Sequence, residues 1–143
     1  MFRTLMTSAA IVIALGGSAI AETFEVQMLN RGESGAMVFE PSALRIAEGD
    51  TVKFVATDRG HNAESIDGMM PEGAEDFAGK INEEIEVTFT EAGFYGVQCK
   101  PHFAMGMVMV VAVGDKATAP DGFLEGRMPR KAKERFEEAL SGL

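Results

Sequence analysis

The sequence predicts an all-β domain, an antiparallel β-sandwich followed by one helix. Three observations carry that reading. Short runs of alternating apolar and polar residues recur between clusters of Gly, Pro, Asn and Asp. No helical run long enough for a parallel crossover separates them. Only the stretch from Pro129 onward carries a helical stripe. At 143 residues, 46% apolar and 24% charged, the chain has the composition of one ordinary globular domain with length enough to bury a core.

Residues 1–21 stand apart from that domain. Arg3 is a positive start, Ala9 to Leu15 is a short apolar run, and Ala19-Ile20-Ala21 has the small-residue pattern of a signal cleavage site. The run falls short of the roughly 20 apolar residues a membrane span needs. The expectation is a secretory signal cut after Ala21, a mature domain over 22–143 with no membrane anchor, and export to a bacterial periplasm.

The mature chain opens with a strand in which Phe24, Val26 and Met28 alternate with Glu25 and Gln27. Asn30 to Gly35 reads as a turn, Met37 to Phe39 as a second strand stopped by Pro41. Leu44 to Ile46 leads into the Glu48-Gly49-Asp50 turn. Thr51 to Thr57 is a β-branched strand, closed by a loop that holds His61. The segment to Asn82 is irregular, with room for one helical turn over Ala74 to Phe77. Ile85, Val87 and Phe89 alternate again, then Phe94 to Cys99 and finally Met107, Met109, Val111 and Val113. A second short helical turn is expected over Asp121 to Glu125. In the tail, about 117–142, apolar residues at 132, 136, 139, 140 and 143 form one stripe after Pro129 and before Gly142, suited to packing on the sandwich.

The chemistry gathers between Tyr95 and Met107. Nine residues there hold the single cysteine, one of two histidines and two of ten methionines. In an exported protein a lone cysteine has no internal disulfide partner. With His102 three residues after Cys99, a metal-bound thiolate accounts for it better than an inert buried thiol. Thiolate, imidazole and thioether suit copper and disfavour magnesium, calcium and manganese. The other histidine, His61, must be brought in by the fold. Two imidazoles and one thiolate in a plane with a weak axial methionine make an electron-transfer copper site. Met105 and Met107 are both candidates for the axis. Met107 is favoured, because it opens the regular alternation of the last strand and so stands on a rigid platform. Structural zinc sites take four Cys, His or carboxylate ligands and no thioether. Pro101 stiffens the Cys99–His102 spacer, and the main-chain N–H of Asn62 is placed to donate toward the sulfur.

Cys99-x2-His102-x4-Met107, Tyr95-Gly96, Pro101, the Gly60-His61-Asn62 turn and the helical tail together resemble the pseudoazurins, type 1 blue copper proteins of the cupredoxin family. The likeness covers essentially the whole mature chain. Cys-x2-His-x4-Met alone is shared with plastocyanin, and a reading that ends at Met105 is similar to amicyanin; the carboxy-terminal helix favours pseudoazurin. The resemblance implies an eight-stranded Greek-key sandwich with one copper per chain cycling between Cu(I) and Cu(II). It implies copper ligands at His61, Cys99, His102 and Met107, and Met37 packed near the exposed imidazole. Partners would dock on an apolar patch of Met37, Pro101, Phe103 and Met105. It further implies a soluble monomeric carrier that takes electrons from a cytochrome and passes them to nitrite reductase, and to nitrous oxide reductase, in denitrification.

One feature departs from the family's ring of lysines. Without Arg3 the chain has 12 basic and 22 acidic residues, a net charge of −10. Residues 114 onward hold six of each sign, so the whole acidic excess lies on the sandwich. Four of the sandwich's cations, Arg31, Arg59, Lys80 and Lys100, fall in segments that the family places around the copper end. The acidity argues against nucleic acid and anionic lipid as partners. A copper chaperone would need a flexible ligand-rich segment that releases its ion, which one short loop does not offer. An enzyme with substrate at a second copper would need further histidines, and both are already used.

Overall fold

The computed structural model describes residues 16–17 and 20–143. The apolar run of the expected leader, residues 9–15, lies outside them. In chain order the elements are β1 (Thr23–Gly32), β2 (Gly35–Glu40), β3 (Ala43–Ile46), β4 (Thr51–Val55), β5 (Glu64–Ser65), β6 (Ile85–Thr88), β7 (Gly93–Gln98), β8 (Val108–Val113) and α1 (Arg130–Ser141). They form two four-stranded sheets, ordered β2-β1-β4-β6 and β3-β8-β7-β5.

The sandwich is mixed, which corrects the antiparallel expectation. β1 pairs with β4 in parallel, and β3 with β8 likewise. A parallel pair needs a long connection, but that connection need not be a helix. Here the chain leaves β1 through the β2 hairpin, crosses to the other sheet as β3 and returns as β4. A strand in the opposite layer thus replaces the crossover helix.

The alternating residues point where their period says. Val26, Met28, Phe39, Val52, Phe54, Val97, Met109 and Val111 fill the space between the sheets. β8 is buried along its whole length, because Val108, Val110 and Ala112 face a second apolar layer built with Phe123, Ala132, Phe136 and Ala139. The stripe of α1 therefore covers the outer face of the second sheet. Burying Phe136 completely contributes about 1.5–3 kcal/mol.

Three local expectations change. β1 continues to Gly32, so the turn shrinks to Glu33-Ser34, with Gly32 opposite Gly35. Asn30 is consequently a strand residue. No helical turn forms over Ala74 to Phe77. That segment lies along β5 instead, with Ser65 N–H donating to Phe77 O at 2.9 Å and Phe77 stacked on Phe54 at 6.0 Å. Residues 121–124 make successive turns, broken where Gly122 takes φ +84°. The tail is helical only from Arg130.

Candidate metal centre

Two chain segments meet at one end of the sandwich. The first is the turn after β4. Gly60, at φ +96°, swings the chain so that His61 enters the interior, where it is fully buried. Asn82 braces the turn from outside: Gly60 N–H donates to its Oδ1 at 2.6 Å, and its own N–H donates to His61 O at 2.8 Å. The Nε2 of His61 lies 2.8 Å from Asn30 Oδ1. An amide oxygen only accepts, so Nε2 carries the proton and Nδ1 presents its lone pair.

The second segment joins β7 to β8. Gln98 faces Val108 in the ladder, so Cys99 comes opposite Met107, and Cys99 N–H donates to Met107 O at 3.0 Å. The residues between form a tight 3-10 turn over Lys100–Met105, entered through Pro101 and left through Gly106 at φ +84°. Inside it, His102 N–H donates to Cys99 O and Met107 N–H to His102 O, each at 3.1 Å. Nine residues are thus closed into a ring of main-chain hydrogen bonds. Cys99 and Met107 are fully buried, His102 is half-buried, and Met105 is 47% exposed.

Three donor atoms converge. His61 Nδ1 and His102 Nδ1 are 3.1 Å apart, and Cys99 Sγ lies 3.7 Å from the first and 3.5 Å from the second. A triangle with those sides has a point about 2.0 Å from every corner, the bond length a transition-metal ion takes to imidazole nitrogen. Burial keeps the His61 ring in the form that can offer a lone pair to a metal. Burial, and then the neighbouring His102, holds His61 below the ordinary imidazole range, against the opposing pull of Asp58. Burial pushes the Cys99 thiol up, with Glu64 adding to it, while main-chain N–H groups of Asn62 and His102 act the other way. Burial thus favours a neutral Cys99 thiol and a neutral His61 ring. A metal ion held by these residues would take the place of the thiol proton and stabilise the Cys99 thiolate. Sulfur and imidazole together, with a buried thioether across the ladder, fit copper.

The chain matches the family described as copper binding proteins, plastocyanin/azurin family, over residues 26–114. It is 50% identical over 139 residues to pseudoazurin of Paracoccus pantotrophus, covering 97% of this chain and 96% of that relative. The crystal structure of pseudoazurin from Methylobacterium extorquens AM1 superposes with a TM-score of 0.78 at 38% identity, covering 84% of this chain and 98% of that one. Native pseudoazurin from Hyphomicrobium denitrificans gives 0.74 at 34% identity, with 85% and 98% covered. The chain belongs to the pseudoazurins. Copper is therefore its cofactor, and electron transfer its work.

Around a pseudoazurin centre the other expected residues are placed as follows. Asn62 does more than offer its N–H. Its side chain accepts from Lys100 N–H at 2.7 Å and donates to Gly79 O at 3.0 Å and to Glu64 at 3.3 Å, tying the histidine turn to the cysteine loop. Met37 is half-buried against the core cluster that contains Cys99, with φ +54°. Pro101 is exposed and Phe103 half-buried beside His102. Arg31, Arg59, Lys80 and Lys100 are all exposed, and among the described residues none forms an ion pair. Asn30, Asn82 and Arg135 escaped the sequence reading. Asn30 and Asn82 look like turn residues, and a helix arginine looks like a solvated one. Only the tertiary partners show otherwise.

Proposed function

We propose that His61, Cys99 and His102 would hold copper, with Met107 as the fourth and weaker ligand, and that the mature domain 22–143 shuttles single electrons in the periplasm after loss of residues 1–21. The observation that carries this is the convergence of two imidazole nitrogens and the Cys99 sulfur on a single point. The full burial of Met107 against the exposure of Met105 supports Met107 as the axial ligand. Bound there, copper supplies a one-electron couple. The chain's part is to hold the donors still, since a carrier that need not rearrange loses little energy at each transfer. The hydrogen-bonded ring from Cys99 to Met107 and the Asn62 tie both restrict movement.

His102 stands between exposed Pro101 and half-buried Phe103, with Met105 beyond. These residues and Met37 form the docking face in this reading. Arg31, Arg59, Lys80 and Lys100 steer acidic partners toward it. By family resemblance the donor is a cytochrome and the acceptor nitrite reductase, with nitrous oxide reductase a further acceptor, and the carrier acts as a monomer.

Adding Cu(II) to the purified mature protein and recording visible and EPR spectra tests the centre. An intense sulfur-to-copper band is expected in the wild type and absent in Cys99→Ser. A wild type that binds copper without that band refutes the ligand assignment. Stopped-flow oxidation of the reduced protein by nitrite reductase tests the acceptor, and no transfer refutes it.

A further inference from the structure

Helix α1 packs on the outer face of the second sheet, yet one of its side chains reaches the ligand loop. Arg135 Nη1 donates to Met37 O at 2.5 Å and to Gly106 O at 3.1 Å, and Nη2 donates to Ala36 O at 2.7 Å. Among the described residues no carboxylate pairs with it. Three main-chain carbonyls therefore satisfy a half-buried guanidinium, which a planar fork can do and a lysine ammonium cannot match.

Each carbonyl belongs to a support of the metal site. Gly106 O and Met107 N–H are the two ends of one peptide plane. Arg135 holds the oxygen end, and His102 O accepts from the nitrogen end at 3.1 Å. That plane sets where the Met107 side chain leaves the backbone. The contact is close. A Cβ on Gly106 would meet Lys131 Cγ at 2.7 Å and Arg135 Cδ at 3.0 Å, so only glycine lets the helix approach. On the other side, Met37 adopts φ +54°, a left-handed conformation that non-glycine residues rarely take without outside support. The β1–β2 register runs from Leu29 opposite Val38 to Arg31 opposite Ala36, which sets Met37 across from Asn30. Asn30 is the residue that fixes the His61 ring.

We propose that Arg135 is a positioning residue for the copper centre, clamping the Gly106–Met107 peptide to the Asn30–Met37 rung and so setting the axial methionine and the buried histidine relative to Cys99. This rests on the ligand assignment above and adds a control that comes from the carboxy-terminal helix. The two can fail separately.

The test compares Arg135→Met, Arg135→Lys and Ala132→Gly with the wild type. Ala132→Gly weakens the same helix and leaves the guanidinium in place. In the copper-free proteins, amide exchange is measured at Met107. In the copper-loaded proteins, the sulfur-to-copper band, the EPR parameters and the reduction potential are recorded. Arg135→Met is expected to speed exchange at Met107 by about tenfold, the loss of roughly one hydrogen bond to a charged group, and to shift band and potential. Arg135→Lys falls between Arg135→Met and wild type, and decides the question if Arg135→Met does not fold. Ala132→Gly lowers the melting temperature with the spectrum unchanged. Arginine variants whose spectrum and potential equal the wild type overturn the clamp, whatever their melting temperature. A wild type lacking the sulfur-to-copper band overturns the ligand assignment instead, and the exchange comparison then stands alone.

Discussion

Asn62→Ala is the substitution that most directly probes how the two ligand segments are joined. The buried amide accepts from Lys100 N–H at 2.7 Å and donates to Gly79 O at 3.0 Å. Truncation leaves both main-chain groups without a protein partner. A stranded buried polar group costs about 1–3 kcal/mol. Gly79 is buried and sits toward the upper end of that range, whereas Lys100 is at the surface and recruits water at the lower end. The expected loss is about 2–4 kcal/mol, against a total of about 5–15 kcal/mol for a domain of this kind, so the variant still folds. Urea unfolding of the copper-free protein near neutral pH measures it as a shift of midpoint at constant slope. Because the amide joins the turn that carries His61 to the loop that carries Cys99, copper affinity falls with it. A midpoint shift worth less than about 0.5 kcal/mol, the level of an ordinary surface change, refutes the role assigned to this side chain.

Three other outcomes follow from the same geometry. With the His61 pKa held below 6.5, the unfolded chain binds a proton that the folded copper-free protein refuses, so stability falls as pH drops below 6.5. With the Cys99 pKa raised above 9.0, the unfolded thiol ionises first, so stability falls as pH climbs past 9.0. Denaturation from pH 5 to 10 checks both flanks; the acid flank shrinks in His61→Gln and the alkaline one in Cys99→Ser, and unchanged flanks contradict the burial argument. Phe136→Ala empties the middle of the outer layer and costs about 3–5 kcal/mol in urea unfolding, while the sulfur-to-copper band keeps its position. If Arg31, Arg59, Lys80 and Lys100, which are exposed and form no ion pair among the described residues, steer docking as proposed, electron transfer to an acidic partner slows as salt rises; a rate independent of ionic strength argues against steering.

Local pattern reaches a definite distance in this chain. Local pattern placed six of the eight strands, β1, β6 and β8 by alternation, because a half-buried strand needs an apolar residue at every second position, and the others by apolar, β-branched or aromatic runs between turn signals. The two it missed are short: Glu64–Ser65 has two residues and shows no period, and Ala43–Ile46 has four and read only as the lead into a turn. The tail stripe at Ala132, Phe136 and Ala139 marked a packing helix, whereas the face it covers, Val108, Val110 and Ala112, emerged only from the structure. The expected turn at Ala74 to Phe77 failed because local propensity lost to the pull of Phe77 into the aromatic core.

Sequence by itself determined the ligand chemistry and half the site. Cys99, His102 and Met107 lie within one short loop, where spacing along the chain is nearly spacing in space. Tertiary structure alone decided the rest. Parallel pairing depends on which layer each strand enters, and no residue encodes that locally. Asn30 on His61, Asn62 between two loops and Arg135 on Gly106 join residues 31, 38 and 29 positions apart. A hydrogen bond acts over about 3 Å. What it joins at such separations is settled only when the sheets close and bring distant chain segments into contact.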